Sequence, residues 1–300
     1  MSSTKSIFGD IVLPFWIFTA AFLFLFTGIH WIIIIQMKRV DEVVSVSMIT
    51  GFILALIASL VFMWKRINRL KQLKNDRMAH YLLATLIIGI PNAFAQEYLI
   101  RESGKLTILD HIGEYYRYDP TRYYRVRQFY TDKQHTALYL QEFISGKHKE
   151  DLNFQINAAV PVLDAVTDTA GTMPHFWLCV SYKHTMKTDA SLEEQRRVRD
   201  SFTTQAEKTF YQTDFHDFEY WQTIPDDGKK DDYFYVQNDH GQIRRDALLF
   251  LPREGSFKDR SQSPRNGLLI SLAGSMILWP IFAYSCGRSR PKYKRKPDAA

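Results

Sequence analysis

Four long apolar stretches interrupt this chain, at residues 11–36, 44–64, 78–95 and 266–286, and a polar block of 170 residues lies between the third and the fourth. A helix needs roughly 20 apolar residues to cross the hydrocarbon core of a bilayer. The first, second and fourth stretches reach that length without a single Asp, Glu, Lys or Arg. The pattern predicts an integral membrane protein with four transmembrane helices. Three fall within residues 1–95, a folded domain follows over 96–265, the fourth helix spans 266–286, and 287–300 form a basic tail.

The third stretch is the shortest and contains Pro91 and Asn92. Lys71, Lys74 and Arg77 precede it, and it ends in Ala93-Phe94-Ala95, which together give the charged, apolar and small-residue regions of a secretory signal. Cleavage after Ala95 is therefore an alternative to a plain third crossing. Against it, the pattern sits deep in the chain, and ordinary helices also end in small residues.

Charge sets the expected orientation. Lys65, Arg66, Arg69, Lys71, Lys74 and Arg77 face one acid between the second and third stretches, and Arg288, Arg290, Lys292, Lys294, Arg295 and Lys296 face Asp298 in the tail. The positive-inside rule puts both segments, and both termini, in the cytoplasm. The mixed turn of Lys38, Arg39, Asp41 and Glu42 and the domain 96–265 then lie outside. The domain carries 23 Lys+Arg and 27 Asp+Glu, net −4, so the formal +6 of the chain arises beside the membrane. A nucleic-acid binder concentrates basic charge on its folded domain, so no nucleic-acid partner is expected. Basic clusters at the membrane face attract anionic lipid, which makes membrane lipid an expected partner. The chain has no Asn-x-Ser/Thr sequon, and this favours a bacterial inner membrane over a glycosylated surface.

The apolar stretches hold no Asp, Glu, Lys or Arg, and their only imidazoles are His30 and His80. Channels and transporters line their paths with such groups, so neither class fits, and His30 beside Trp31 reads as an interfacial pair. Ser275, in Ala-Gly-Ser-Met, lacks the Gly-x-Ser setting and the histidine partner of a rhomboid-type protease. Small residues recur at four-residue spacing as Gly51, Ala55, Ser59 and as Gly267, Ser271, Ser275. Such rows let helices approach closely, within the chain or in a homo-oligomer.

The domain is expected to be α+β with a mainly antiparallel sheet and one or two packed helices. Leu152, Phe154, Ile156 and Ala158 alternate with Asn153, Gln155 and Asn157, the period of a strand with one wet face. Residues 176–182 read as a more buried strand. Residues 218–224, 233–236 and 243–251, separated by Asp227-Gly228 and His240-Gly241, suggest an antiparallel meander. Ser191 and Glu194 form a capping box, and Val198, Phe202, Ala206 and Phe210 make the apolar stripe of the helix behind it, with Arg196, Arg197 and Arg199 opposite. Leu106, Leu109 and Ile112 predict a second short helix. The run 256–265 reads as a tether to the last helix.

Residues 115–130 hold six Tyr, one Phe and four Arg. Aromatic faces stack on sugars, and guanidinium groups pair with carboxylate or phosphate. In a strand, Tyr123, Arg125, Arg127 and Phe129 share one face and form the candidate binding surface for an acidic peptide or envelope polymer. The competing reading is a strand pair held by cross-strand aromatics. Asp214 with His216, and His111 with Glu114, are weaker acid-base candidates without the spacing of a zinc motif. Asp226, Asp227, Asp231 and Asp232 around Gly228 do not follow the calcium-loop order. No metal, cofactor or catalytic residue is expected on these grounds. Cys179 is the one cysteine of the domain, so no disulfide forms within it, and with His175 it makes a conceivable nucleophile pair or a buried packing thiol.

The function these patterns suggest is a membrane-anchored extracytoplasmic binding or sensing module, an accessory or assembly component of the bacterial envelope with a protein or envelope-polymer partner. A membrane-anchored envelope hydrolase and a toxin-immunity membrane protein remain alternatives.

Overall fold

The computed structural model describes residues 7–36, 44–62, 64–67, 77–165, 174–224 and 245–286, together with 230, 233, 237–238 and 241–243. The loop 68–76, the turn 38–42, the aspartate-rich loop 226–232 apart from Lys230, the expected strand 233–236 apart from Tyr233, and the tail 287–300 lie outside the described residues. Contacts divide the chain into two compact units, Met1–Ser103 with Arg260–Ala300, and Gly104–Asp259.

The first unit is helical. Helix α1 (Leu13–His30) is flanked by π-helical turns at Phe8–Val12 and Trp31–Gln36, and its proline sits in the first turn, where the missing N–H costs no bond. Helices α2 (Val44–Phe62), α3 (Arg77–Ser103) and α4 (Gln262–Cys286) complete it. Three helical segments, Phe8–Ile33, His80–Ser103 and Phe257–Cys286, are long and apolar enough to cross a membrane, and Ile49–Phe62 is a shorter apolar helix. The third helix runs on past Ala95 to Ser103 without a break. Its end is tied by Arg260, which donates to the carbonyls of Arg101 (2.9 Å) and Glu102 (2.7 Å), while the Ser261 hydroxyl donates to the Glu102 carboxylate (2.5 Å). The expected tether 256–265 is thus structured: a 3-10 turn at Phe257–Asp259, then the start of α4.

Proline inside α3 explains part of the helix packing. Pro91 has no N–H to give the Ile87 carbonyl one turn back. Ser275 of α4 donates to that carbonyl at 2.9 Å. The small rows also serve packing within the chain. A Cβ on Gly51 would collide with the Asn92 amide, and one on Gly267 with the Phe94 ring. Phe15 and Trp279 stack at 3.9 Å between α1 and α4.

The second unit is α+β. Its described residues form a ten-stranded sheet: β1 (Leu106–His111), β2 (Tyr123–Gln128), β3 (Tyr130–Thr131), β4 (Ala137–Ser145), β5 (Asp151–Leu163), β6 (Phe176–Lys187), β7 (Tyr220–Thr223), β8 (Gln237–Asn238), β9 (Gly241–Gln242) and β10 (Leu248–Arg253), in the order β1-β2-β7-β10-β6-β5-β4-β8-β9 with β3 on β5. Five residues of β1 pair in parallel with β2, so Leu106 and Leu109 belong to a strand and Ile112 opens a 3-10 turn. The expected short helix is therefore absent here: the pairing with β2 outweighs the three-residue spacing of the leucines. The sheet is mixed rather than a meander, because β10 returns beside β6 in parallel and beside β7 antiparallel.

The expected wet face of β5 is buried. Ala158, Val160 and Val162 join a cluster with Phe210, Phe215, Trp221 and Phe250 on one side, and Ala159 joins Trp177, Cys179 and Leu249 on the other. Central strands covered on both faces lose their alternation. Gln155 and Asn157 share the parity of Ala159. Both are buried, and Gln155 donates to Asn157 at 2.9 Å. The helix α5 (Leu192–Gln212) starts as expected, with the Ser191 hydroxyl accepting from Glu194 N–H. Its Ala206 and Phe210 are buried, with Val198 and Phe202 half-buried.

Candidate functional site

The four candidate residues on and after β2 do not make one open face. Tyr123 is 2 % exposed and packs edge-on against Tyr220 (5.6 Å) and Phe257 (5.3 Å). Phe129 lies one residue past the end of β2, joins the core cluster of Tyr124 and Val126, and meets Trp221 edge-on at 4.8 Å. The break between β2 and β3 reverses its side, a change invisible to simple alternation. Arg125 lies on the Glu219 carboxylate and donates from Nε to the Glu219 carbonyl at 3.0 Å. Arg127 pairs with Asp110 at 2.8 Å. Both guanidinium charges are matched by carboxylates of the same unit.

Other sequence candidates fall into ordinary structural roles. His111 ends β1, with Glu114 at 3.9 Å and Asp164 at 3.6 Å. The carboxylates there are also used by the backbone: Glu114 accepts from Asp110 N–H and Asp164 from Gly113 N–H. Cys179 is fully buried while His175 is exposed, and burial pushes the thiol well above its usual range. A thiol held neutral is a poor nucleophile. The other cysteine, Cys286, is buried beside His80, whose Nε2 lies 3.8 Å from its sulfur.

The residues that do converge lie just beyond β2. After Phe129 the chain turns away and adds Tyr130 and Thr131 to the end of β5, with Tyr130 opposite Leu163. Asp132 then caps a 3-10 turn, Lys133–His135, its Oδ1 accepting from the N–H groups of Gln134 (3.1 Å) and His135 (3.4 Å). Asn and Asp favour this position because the short carboxylate reaches its own following amides. The second oxygen of Asp132 lies 2.5 Å from Nδ1 of His135. Lys133 reaches the C-terminal end of α5 and donates to the carbonyls of Tyr211 (2.9 Å) and Thr213 (2.7 Å). Helix ends leave such carbonyls without partners, and a cation there is favourable.

A second 3-10 turn, Phe215–Asp217, follows α5 and completes the site. Asp214 caps it by accepting from His216 N–H at 2.9 Å, so this acid-base candidate is joined through the backbone amide of the histidine. The His216 ring stacks on Phe129 at 4.2 Å. Tyr130, Thr131, Asp132, Lys133, Gln134, His135, Leu163 and His216 line an open cleft of about 620 Å3. Its volume is in the range of small-ligand sites. His216 was singled out in the sequence, but Asp132, Lys133 and His135 were not. Their signal was Asp-x-x-His directly after a short strand segment, a capping pattern that also orients the imidazole. Among the described residues no group of three His, Cys, Asp or Glu is placed to hold a metal ion.

Compared with models of known protein families, with curated proteins and with solved structures, the chain gives no significant match.

Proposed function

We propose that this chain is a membrane-anchored binding or sensing module of the bacterial envelope, with Gly104–Asp259 on the extracytoplasmic side and four crossings. The observation that carries the binding role is the open cleft at residues 130–135 and 216, where polar side chains gather around space large enough for a small ligand or a peptide end. Its two cationic or imidazole anchors are held by neighbouring groups: Lys133 by carbonyls and His135 by Asp132. Sites fixed in this way bind without ordering side chains first. For the topology, α2 has 19 residues and thus a length of about 28 Å at 1.5 Å per residue, close to the thickness of a bilayer core. The basic segments beside the apolar stretches supply the orientation. Extracytoplasmic placement gives the module an envelope ligand or protein partner, with the bacterial inner membrane as its site.

The test is accessibility of single cysteines in intact spheroplasts to a membrane-impermeant thiol reagent, at Ser145→Cys, Asn75→Cys and Ser289→Cys. Both native cysteines are buried, which keeps the background low. Labelling confined to Ser145→Cys supports the placement; labelling at the other two and not at Ser145→Cys overturns it. A photo-crosslinking residue at Gln134 in the same cells then reports whether the cleft is occupied, and an adduct that does not depend on Lys133 refutes the cleft as the binding site.

A second reading, a membrane-anchored hydrolase, is favoured by one specific observation. The Asp132–His135 pair has the geometry in which a carboxylate orients an imidazole for proton transfer. This reading requires hydrolysis of an ester or amide probe that His135→Gln abolishes and His216→Gln leaves measurable.

A further inference from the structure

The geometry points to an organic carboxylate with an adjoining apolar group, such as a short peptide with a free C-terminus, as the ligand of the cleft. This rests on the reading of the cleft as a binding site and names the chemistry of its occupant.

Three observations carry it. The first concerns Lys133, whose ammonium donates to two neutral carbonyl oxygens, of Tyr211 and Thr213, and lies 5.8 Å from the centroid of the Phe215 ring. Its charge therefore meets no carboxylate, in contrast to Arg125 on Glu219 and Arg127 on Asp110. An ammonium has three N–H groups, and two are used by these carbonyls. The carbonyls fix the position of the charge in the wall of the cleft.

The second observation concerns the acid in the cleft wall. Asp132 directs one oxygen to the backbone of Gln134 and His135 and the other to the His135 ring. Its acceptor capacity is turned inward. In the remaining polar wall Lys133 is a donor only, while Gln134, Thr131 and the two imidazoles can donate or accept. An ammonium in the wall, beside a carboxylate whose oxygens already accept, favours an anionic oxygen group.

The third observation distinguishes between anions. The lining has one lysine and no arginine, a set suited to a monoanion rather than to the bidentate forks that arginine gives phosphate. The Tyr130 ring and Leu163, paired across β3 and β5, add apolar lining, a surface that an inorganic ion leaves unused. Carboxylate and apolar group together fit about 620 Å3.

The experiment uses the full chain in phosphatidylcholine nanodiscs, which present no net anionic lipid. Calorimetric titration compares N-acetyl-Ala-Leu, its C-terminal amide and inorganic phosphate. The expected result is binding of the free acid at least about tenfold tighter than of the amide, with phosphate weaker than the acid. Lys133→Gln weakens the acid about tenfold and narrows the gap between acid and amide. Because Lys133 also ties α5, Gln134→Ala is the second variant, since it removes a cleft donor with no contact to that helix. Lys187→Gln, an exposed lysine paired with Asp151, leaves the affinity unchanged.

Equal binding of acid and amide overturns the carboxylate while keeping the cleft as a ligand site. Phosphate binding as tight as the acid overturns the choice of anion. No binding of the acid at millimolar concentration overturns the inference, while the crosslink at Gln134 judges the cleft independently.

Discussion

Replacing Ser275 by Ala removes the hydroxyl that satisfies the carbonyl freed by Pro91, and the size of the effect follows from the geometry. Ser275 Oγ lies 2.9 Å from the Ile87 carbonyl of α3 and 2.8 Å from the Ser271 carbonyl of its own helix. Ser275 is buried, so water does not replace the lost donor. Hydrogen bonds between membrane helices contribute about 0.6 kcal/mol on average and about 1.7 kcal/mol at most. With 1.4 kcal/mol for a factor of ten, Ser275→Ala shifts the unfolding equilibrium by about three- to twentyfold. The decisive comparison adds Pro91→Ala, which restores an N–H to donate to Ile87 O within α3. In that background the carbonyl has its own partner and Ser275→Ala costs less. Reversible unfolding of the full chain in mixed micelles, followed by helical circular dichroism, supplies the four stabilities of the double-mutant cycle. A cost of Ser275→Ala that is the same with Pro91 and with Ala at position 91 refutes the reasoning. The serine would then act only within α4.

Three further outcomes follow from single contacts. Asp132→Ala removes the cap of the turn Lys133–His135 and costs about 1 kcal/mol, read as a fall of roughly 2–4 °C in the melting of a unit of this size; Asp132→Asn keeps the cap and recovers most of it. Gly51→Val drives a branched side chain into the Asn92 amide and lowers the stability of the helical unit in the same micelle assay, whereas Gly9→Ala, with open space at its Cβ, does not. Burial raises the Cys179 thiol above its ordinary 9.0, so the folded state binds the proton more tightly than the unfolded state. This contribution is fully present below pH 9.0 and is lost as pH rises above it. Denaturant titrations should therefore show stability falling on the alkaline side, with a shallower fall in Cys179→Ala. An equal slope in the two proteins removes Cys179 as a cause.

The legibility of the structure followed the range of the interactions. The cap at Ser191, whose hydroxyl accepts from Glu194 N–H, and the stripe ending in Ala206 and Phe210 are local, and they appear where the sequence predicts them. The strand at residues 152–158 was also legible, but its second face was not. Asn157 looks like a solvent position until β4, β6 and the cluster around Trp177 cover both sides of β5. The failure at Leu106–Ile112 has the same origin, since the partner that makes it a strand begins at Tyr123, seventeen residues on. The Arg and Tyr of residues 115–130 carried a true signal of an aromatic core, with Tyr115, Tyr124 and Phe250 in mutual ring contact. Composition did not reveal that Glu219 and Asp110 would match the arginines.

By itself the sequence determined the segregation of the chain into apolar helices and a polar block, because solvent choice depends on composition summed over about twenty residues. It also determined the local caps, because a carboxylate or hydroxyl reaches amides only two or three residues away. Tertiary structure alone decided the mixed strand order, the burial of Gln155 and Asn157, and the partner of the carbonyl beside Pro91. It also decided the cleft, which needs Leu163, His135 and His216 together although 81 residues separate the two histidines. Contacts at that separation depend on which strands pair, and no short-range rule of propensity or periodicity encodes the pairing.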